Sequence, residues 1–467
     1  PSATPLPTAT ATPTSTPTAT PTATPTPIPT IQVGNLSVPD PRSTNPELFD
    51  LRNPDAPIPR FVNAMRMAGI EITAEQVAKG MRFQKLKDIN GKSFVVGVFD
   101  LDPNPQKQGE TLEGPIPFLI AQMDESKQWR WAEISLKAGE LFGLPIGGSG
   151  NLGDENWRDS AYEKLALSEF SLWVDTGSFM EQTIHQWPPD KLTMAILRKD
   201  PNKKTRINLA FWHHDVPENI SPEKVSDFFD HRINDIMPYL KALRGRNVEI
   251  LLVNEPFWYY SGHYGWMESP FYKAYGQKWI TEAFVRLYNA ASSQGLEYGK
   301  DYHIMLINEY DIEIPSPKAS FVMGNVAEIK KEIEARIGTP IDITIGLQFH
   351  VSTGAGGYIG PDPVWMMDER NLPVLREHFR KLSQMGRLSI TELDFAGEID
   401  LDAQSRILSN LIRAAIQSGV FNDITLFSPL RRNNPFKPNI FELDTYQPTA
   451  NYYAILQALM VYSLYGS

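Results

Sequence analysis

Residues 250–256 read Ile250-Leu-Leu-Val-Asn-Glu-Pro256: four apolar residues, two polar ones, then a proline. The run is strand-sized and lacks the alternation of a strand with one wet face, as expected for a parallel strand buried on both sides. Asn254 and Glu255 then stand where a buried strand opens to solvent. Seven other stretches repeat this texture, and candidate strands end near Gly148, Asp175, His213, Glu255, Glu309, His350, Asp394 and Ser428. Each gap has room for a loop and an amphipathic helix, among them residues 222–243, 272–294, 326–337, 372–385 and 403–419. Eight such units over about 330 residues predict a (β/α)8 TIM barrel, with a doubly wound sheet as the alternative that periodicity leaves open.

The chain ahead of the barrel divides in two. Residues 61–133 carry short helical turns, with Thr73 as a candidate N-cap, and two hairpin signals, one around Asn90-Gly91 and one around Asp124-Glu-Ser-Lys127. They predict a small α+β accessory unit. Residues 1–60 read as a disordered linker. Positions 1–30 hold nine Pro, twelve Thr and no charged residue, the composition of an extended polyproline-II spacer. With no initiator Met and no apolar signal segment ahead of it, the chain reads as processed or truncated, and an extracellular or surface-tethered location is expected. The barrel is assigned 134–467.

Composition narrows the chemistry. The absence of cysteine excludes disulfide frameworks, zinc ribbons, iron–sulfur sites and thiol nucleophiles together. A formal charge of −11 argues against nucleic acid as a partner, and no run of 18 apolar residues exists to span a bilayer. A monomer is expected, with no cofactor.

In a barrel the chemistry sits at the C-terminal strand ends. Leu388-Ser-Ile-Thr-Glu-Leu-Asp-Phe395 places Glu392 and Asp394 there, as residues 251–256 place Asn254 and Glu255. Trp212 and His213 close another run, and Gln348 and His350 a fourth. Two carboxylates on different strands among His, Asn and Gln are the equipment of glycoside hydrolysis. A metal reading competes through His213, His350 and the carboxylates, but no H-x-H or H-E-x-x-H spacing supports it, and no metal is expected.

These residues resemble glycoside hydrolase family 10, the β-1,4-xylanases. Val253-Asn-Glu-Pro256 is similar to the family's acid/base strand, Ile390-Thr-Glu-Leu-Asp394 to its nucleophile strand, Phe211-Trp-His213 to its V-W-H strand, and Gly346-Leu-Gln-Phe-His350 to its G-L-Q-x-H strand. Ile307-Asn-Glu-Tyr310 resembles the N-D-Y strand. The resemblance covers about residues 135–460, in family order. It implies a retaining enzyme with Glu255 as acid/base and Glu392 as nucleophile. Asn254, Trp212, His213, Gln348, His350 and Tyr310 would bind substrate, and Asp394 would hold His350. The sequence departs at the second strand, where Trp173-Val-Asp-Thr-Gly-Ser-Phe-Met-Glu181 replaces E-N-x-M-K, and at the eighth, where Leu426-Phe-Ser-Pro-Leu-Arg-Arg432 replaces the W-G segment. Both lie in the glycone subsites.

Phe257-Trp-Tyr-Tyr260, with His263, Tyr264 and Trp266, follows the acid/base strand; such rings either stack on sugar faces or pack on the barrel rim. The Gly-rich loop 352–360 has no adjacent Lys-Ser/Thr and is no phosphate loop. The expected function is an extracellular retaining endo-β-1,4-glycanase, xylan first. The alternatives are a carbohydrate-binding barrel with weakened catalysis and a β-glycosidase of other specificity.

Overall fold

Eight apolar runs close on one another as a parallel barrel. The strands are Ile146–Gly150, Leu172–Asp175, Lys204–Trp212, Val248–Asn254, Tyr302–Glu309, Thr344–Leu347, Arg387–Ala396 and Phe421–Leu426. Each pairs with its neighbours in parallel, and the eighth pairs with the first to shut the ring. His350–Ser352 continues the sixth strand after a break and pairs with the seventh. This computed structural model describes residues 28–101, 112, 114–150, 160–176, 193–216, 220–246, 248–260, 263–354, 360–427, 429, 440–442 and 445–465. The (β/α)8 barrel expected from the strand ends is therefore the fold. Parts of the second- and eighth-strand departures, the centre of the 352–360 loop and the leader through residue 27 lie outside the described residues.

Helices Pro222–Ala242, Pro317–Ile337, Leu372–Leu382 and Leu401–Ser418 face the barrel with their apolar sides. The helix expected at 326–337 starts earlier, because Ser316 caps it at the Ala319 amide and Pro317 fits its first turn. The helix expected at 272–294 is two, Pro270–Tyr275 and Trp279–Ser293, parted at Gly276 with φ 57°.

Ahead of the barrel, Arg82–Lys87, Ser93–Leu101, Gly114–Met123 and Trp129–Glu133 form an antiparallel sheet in sequence order. Pro57–Met67 and Ala74–Gly80 are helical, and Thr73 and Gln76 cap the second reciprocally. The linker expected through residue 60 is corrected over 28–60. Thr30–Val33 and Leu36–Pro39 form a hairpin whose Val33 and Val38 are buried, and Trp131 Nε1 donates to the Pro39 carbonyl at 2.8 Å. Pro41, Pro46 and Pro57 there are helix starters, at the first turn of Pro41–Thr44, Pro46–Phe49 and Pro57–Met67.

The last helix, Ala450–Tyr465, is apolar on every side. Tyr452, Tyr453, Ala454, Ile455, Leu456, Ala458, Leu459 and Met460 are all buried. Such a helix can turn no face to water, so it needs cover all round. Leu401–Ser418 packs on one side, and the Gly114–Met123 strand and the Leu136–Phe142 turn on the other. Phe61 meets Tyr453 edge-on at 5.0 Å and stacks on Phe118 at 5.6 Å. One core therefore runs from the N-terminal sheet into the barrel.

The N-terminal end of the barrel is sealed by charge. Arg206, fully buried, donates to Glu249 at 2.6 Å and to both oxygens of Asp423 at 3.0 and 3.1 Å, and Ser389 also donates to Asp423. Burial pushes the Asp423 carboxyl up, and Arg206 opposes it.

Candidate active site

At the opposite end the apolar strands stop on polar residues. Asn254 ends the fourth strand, and Glu255 follows it in the left-handed region at φ 50°. Asp311 at 57° and Phe349 at 63° repeat the device beyond the fifth and sixth strands. Each such non-glycine residue costs about 1–3 kcal/mol and persists only where its surroundings hold it. Here the fifth strand does the holding. Its Asn308 carbonyl accepts the Glu255 amide at 2.9 Å, and its Glu309 carbonyl accepts the Gln348 amide at 3.1 Å. The Glu309 carboxylate accepts the Phe257 amide at 3.1 Å, and Glu313 accepts that of Phe349 at 3.0 Å.

The two candidate glutamates meet different donors. Glu255 accepts from Trp212 Nε1 at 3.1 Å on one oxygen and from Gln348 Nε2 at 2.9 Å on the other. Glu392 accepts from Asn308 Nδ2 at 2.6 Å, and its second oxygen lies 3.5 Å from His350 Nε2. Asn308 also donates to Asn254 Oδ1 at 2.9 Å, and Gln348 reaches the same oxygen at 3.5 Å. Side-chain amides thus run unbroken from one carboxylate to the other.

Behind Glu392, His350 Nδ1 and Asp394 are 2.7 Å apart. Burial works against charge on the imidazole, but Asp394 and Glu392 outweigh it and raise its pKa well above the usual histidine value. Burial pushes the Asp394 carboxyl up to about 6 although His350 pulls it down. The imidazolium thus faces Glu392 across 3.5 Å. His213 is the opposite case: burial, then the neighbouring His214, lowers it to about 4, so its ring is neutral. Its buried Nδ1 meets no partner among the described residues.

Seven of the nine expected site residues, Trp212, Asn254, Glu255, Gln348, His350, Glu392 and Asp394, join one network. His213 lies against Trp212 and His214 but bonds neither glutamate. Tyr310 stands beside the fully buried ion pair of Glu309 and Lys318, whose ammonium is 2.8 Å from Glu309 and 3.3 Å above the Tyr310 ring. Burial raises the Tyr310 hydroxyl, with Glu309 and Glu255 adding to the shift. Burial also pushes Glu309 up to about 7, against the pull of Lys318.

Asn308, Thr391 and Lys318 were not singled out from sequence, and Glu309 only as a strand end. Thr391 donates to Asn308 Oδ1 and so turns the Asn308 amide toward Glu392. The available signal was polarity inside apolar runs: an Asn and a Glu ending Ile304–Ile307, and a Thr amid Ile390 and Leu393. Among the described residues no group of three or more His, Cys, Asp or Glu side chains is arranged to hold a metal, and no helix is long and apolar enough to cross a membrane.

At the second strand, where the sequence departs from E-N-x-M-K, Asp175 is fully buried and accepts from Thr193, which in turn accepts from Trp173 Nε1 at 3.2 Å. Asp175 is thus engaged with the barrel wall.

No curated protein matches the chain. Among solved structures it is similar to native xylanase 10B from Thermotoga maritima, at 20% identity over 71% of this chain and 100% of that one, with a TM-score of 0.55. Xylanase 10B from Thermotoga petrophila RKU-1, in complex with xylobiose, gives 21%, 70%, 98% and 0.54. The Penicillium canescens endo-1,4-beta-xylanase XylE gives 18%, 70%, 97% and 0.54. At such identities these likenesses establish the barrel fold. The sequence profile of glycosyl hydrolase family 10 matches residues 192–458, more than half the chain. That span holds both candidate glutamates, and the chain belongs to glycosyl hydrolase family 10.

Proposed function

We propose that the chain is a retaining endo-β-1,4-glycanase acting on xylan, with residues 134–467 as its catalytic unit. The observation that carries this reading is the asymmetric pair, Glu255 held by an indole and an amide and Glu392 held by an amide and an imidazole. Glu255 gives its proton to the glycosidic oxygen as Glu392 attacks the anomeric carbon. The C–O bond to the leaving sugar breaks and a glycosyl ester forms. In the second half Glu255 takes a proton from water, whose oxygen attacks the same carbon and releases Glu392. Retention requires the carboxyls about 5–5.5 Å apart, and the amide path between them supports that closeness. Asn254, Gln348, His350, Tyr310, Trp212 and His213 line the subsite around the reacting sugar, and Asp394 holds His350.

The Pro/Thr-rich leader supports an extracellular or surface-tethered location. A carbohydrate-binding barrel with weakened catalysis is the second reading. It is favoured by Asp175, which is tied to Thr193 where the family carries sugar-binding groups.

The test is Glu255→Ala assayed on xylan and on an aryl β-xylobioside with a good leaving group. Loss of general acid–base catalysis should slow xylan hydrolysis by about 10²–10⁴-fold. The aryl substrate should suffer less, and azide should restore its turnover and yield a β-glycosyl azide. Near-wild-type xylan hydrolysis would overturn the assignment, and a wild-type chain that binds xylo-oligosaccharides without cleaving them would establish the second reading.

A further inference from the structure

The aromatic run after Glu255 is a two-stranded ribbon, Phe257–Tyr260 paired with His263–Trp266. Its register sets Phe257 against Trp266, Trp258 against Gly265, Tyr259 against Tyr264 and Tyr260 against His263. Successive pairs point to opposite faces. Phe257 and Trp266 are buried 4.8 Å apart, and Phe257 and Tyr264 both meet Phe321 of the Pro317–Ile337 helix, at 5.6 and 5.3 Å. That face is rim packing, one of the two uses the sequence allowed. Trp258 and Gly265 belong to the other face, turned away from the helix.

Trp258 is half-buried. A Cβ at Gly265 would lie 3.2 Å from its Nε1 and 3.5 Å from the adjoining ring carbon, so the indole rests along the glycine backbone. A half-buried indole backed by a glycine leaves part of its surface to solvent and can serve as a platform. The ribbon's outer edge is anchored to the catalytic end of the barrel. The Phe257 amide donates to Glu309, and the Tyr259 amide bonds the Tyr310 hydroxyl. Trp258 lies three positions beyond Glu255, at most about 11 Å of extended chain.

We propose that Trp258, supported by Gly265, is a stacking platform for a pyranose ring on the leaving-group side of the scissile bond. This rests on reading Glu255 as the acid, since the acid's side of the cleft is the leaving group's side. The occupant is a sugar of the β-1,4-linked chain itself, because an indole face matches the apolar C–H face of a pyranose and no charged partner is called for. The platform takes a ring beyond the first leaving sugar and extends the cleft along the half of the barrel mouth formed by the fourth and fifth strands.

The test compares kcat/KM for xylohexaose with kcat/KM for an aryl β-xylobioside, whose leaving side ends at the aryl group. In Trp258→Ala the ratio of hexaose to aryl substrate should fall about five- to tenfold. Gly265→Val, which drives the indole off its support, should lower the same ratio, and Trp258→Tyr should restore part of it. An unchanged ratio in both Trp258→Ala and Gly265→Val would overturn the platform, as would an equal loss on both substrates in Trp258→Ala. A wild-type chain inactive on the aryl xylobioside would break the catalytic reading instead. Calorimetric titration of the same variants with xylohexaose would then decide the platform, which is refuted if Trp258→Ala binds as tightly as wild type.

Discussion

Both ends of the barrel hold carboxylates, and they are neutralised in opposite ways. At the N-terminal end Glu249 and Asp423 close on Arg206, a permanent cation without exposed surface. At the C-terminal end Glu255 meets only an indole N–H and an amide among the described residues, and Glu392 an amide and an imidazole. A guanidinium fixes a carboxylate as an anion. The neutral indole and amide at Glu255 orient it while leaving its lone pairs open to change, and Glu392 shares its one cationic neighbour, His350, with Asp394. On the proposed assignment, a carboxylate's partner, more than its depth, decides whether it supports the fold or reacts.

The comparison can be broken at either end. Replacing Glu392 by Ala should have the largest effect, a loss of about 10⁴-fold or more in hydrolysis, the scale on which a covalent nucleophile acts. Its denaturation midpoint should stay within a small margin of wild type, and a large fall would show that Glu392 also carries structure. Replacing Arg206 by Met should do the reverse. Leaving Glu249 and Asp423 without their cation should cost about 3–5 kcal/mol in urea unfolding, while kcat/KM of the folded fraction stays near wild type. The Asp423 carboxyl, already raised by burial, would rise further without Arg206. A raised carboxyl pKa stabilises the fold below that pKa, so the variant's deficit should widen as pH increases.

Glu309→Gln tests the boundary between the two kinds of carboxylate, because Glu309 is a cation-paired carboxylate lying at the reactive end. The change leaves Lys318 without its carboxylate and weakens the acceptor of the Phe257 amide, so it should cost about 3–5 kcal/mol in urea unfolding and also lower kcat/KM on xylan. Glu309→Asp should restore part of both. An unchanged kcat/KM with a lowered unfolding midpoint would reduce Glu309 to a purely structural partner.

The residues that could be read from the sequence share a simple signature. Glu255, Gln348 and His350 stand at or just beyond the end of an apolar run, and Glu392 interrupts one between Ile390 and Leu393, so burial and its interruption mark them on the chain itself. Asn308 and Thr391 escaped because polarity within a strand does not reveal which neighbour a side chain meets, and their mutual bond spans 83 residues. The second hidden feature was the order within residues 28–60. Proline there suggested a spacer, yet the same residue at a first helical turn costs no hydrogen bond. That segment packs on partners far along the chain, the distant Trp131 and the last helix among them.

That last helix has a consequence in time. Its apolar circumference needs the N-terminal sheet, and the sheet needs the helix, but about 300 residues lie between them. A chain emerging at about 5–20 residues per second presents the finished sheet's uncovered face for roughly 15–60 s before its cover exists. Pairing at such separation is slow even in the complete chain. Removing the final fifteen residues should therefore prevent the first hundred from reaching a soluble state, because the end of the chain completes the core that its beginning starts.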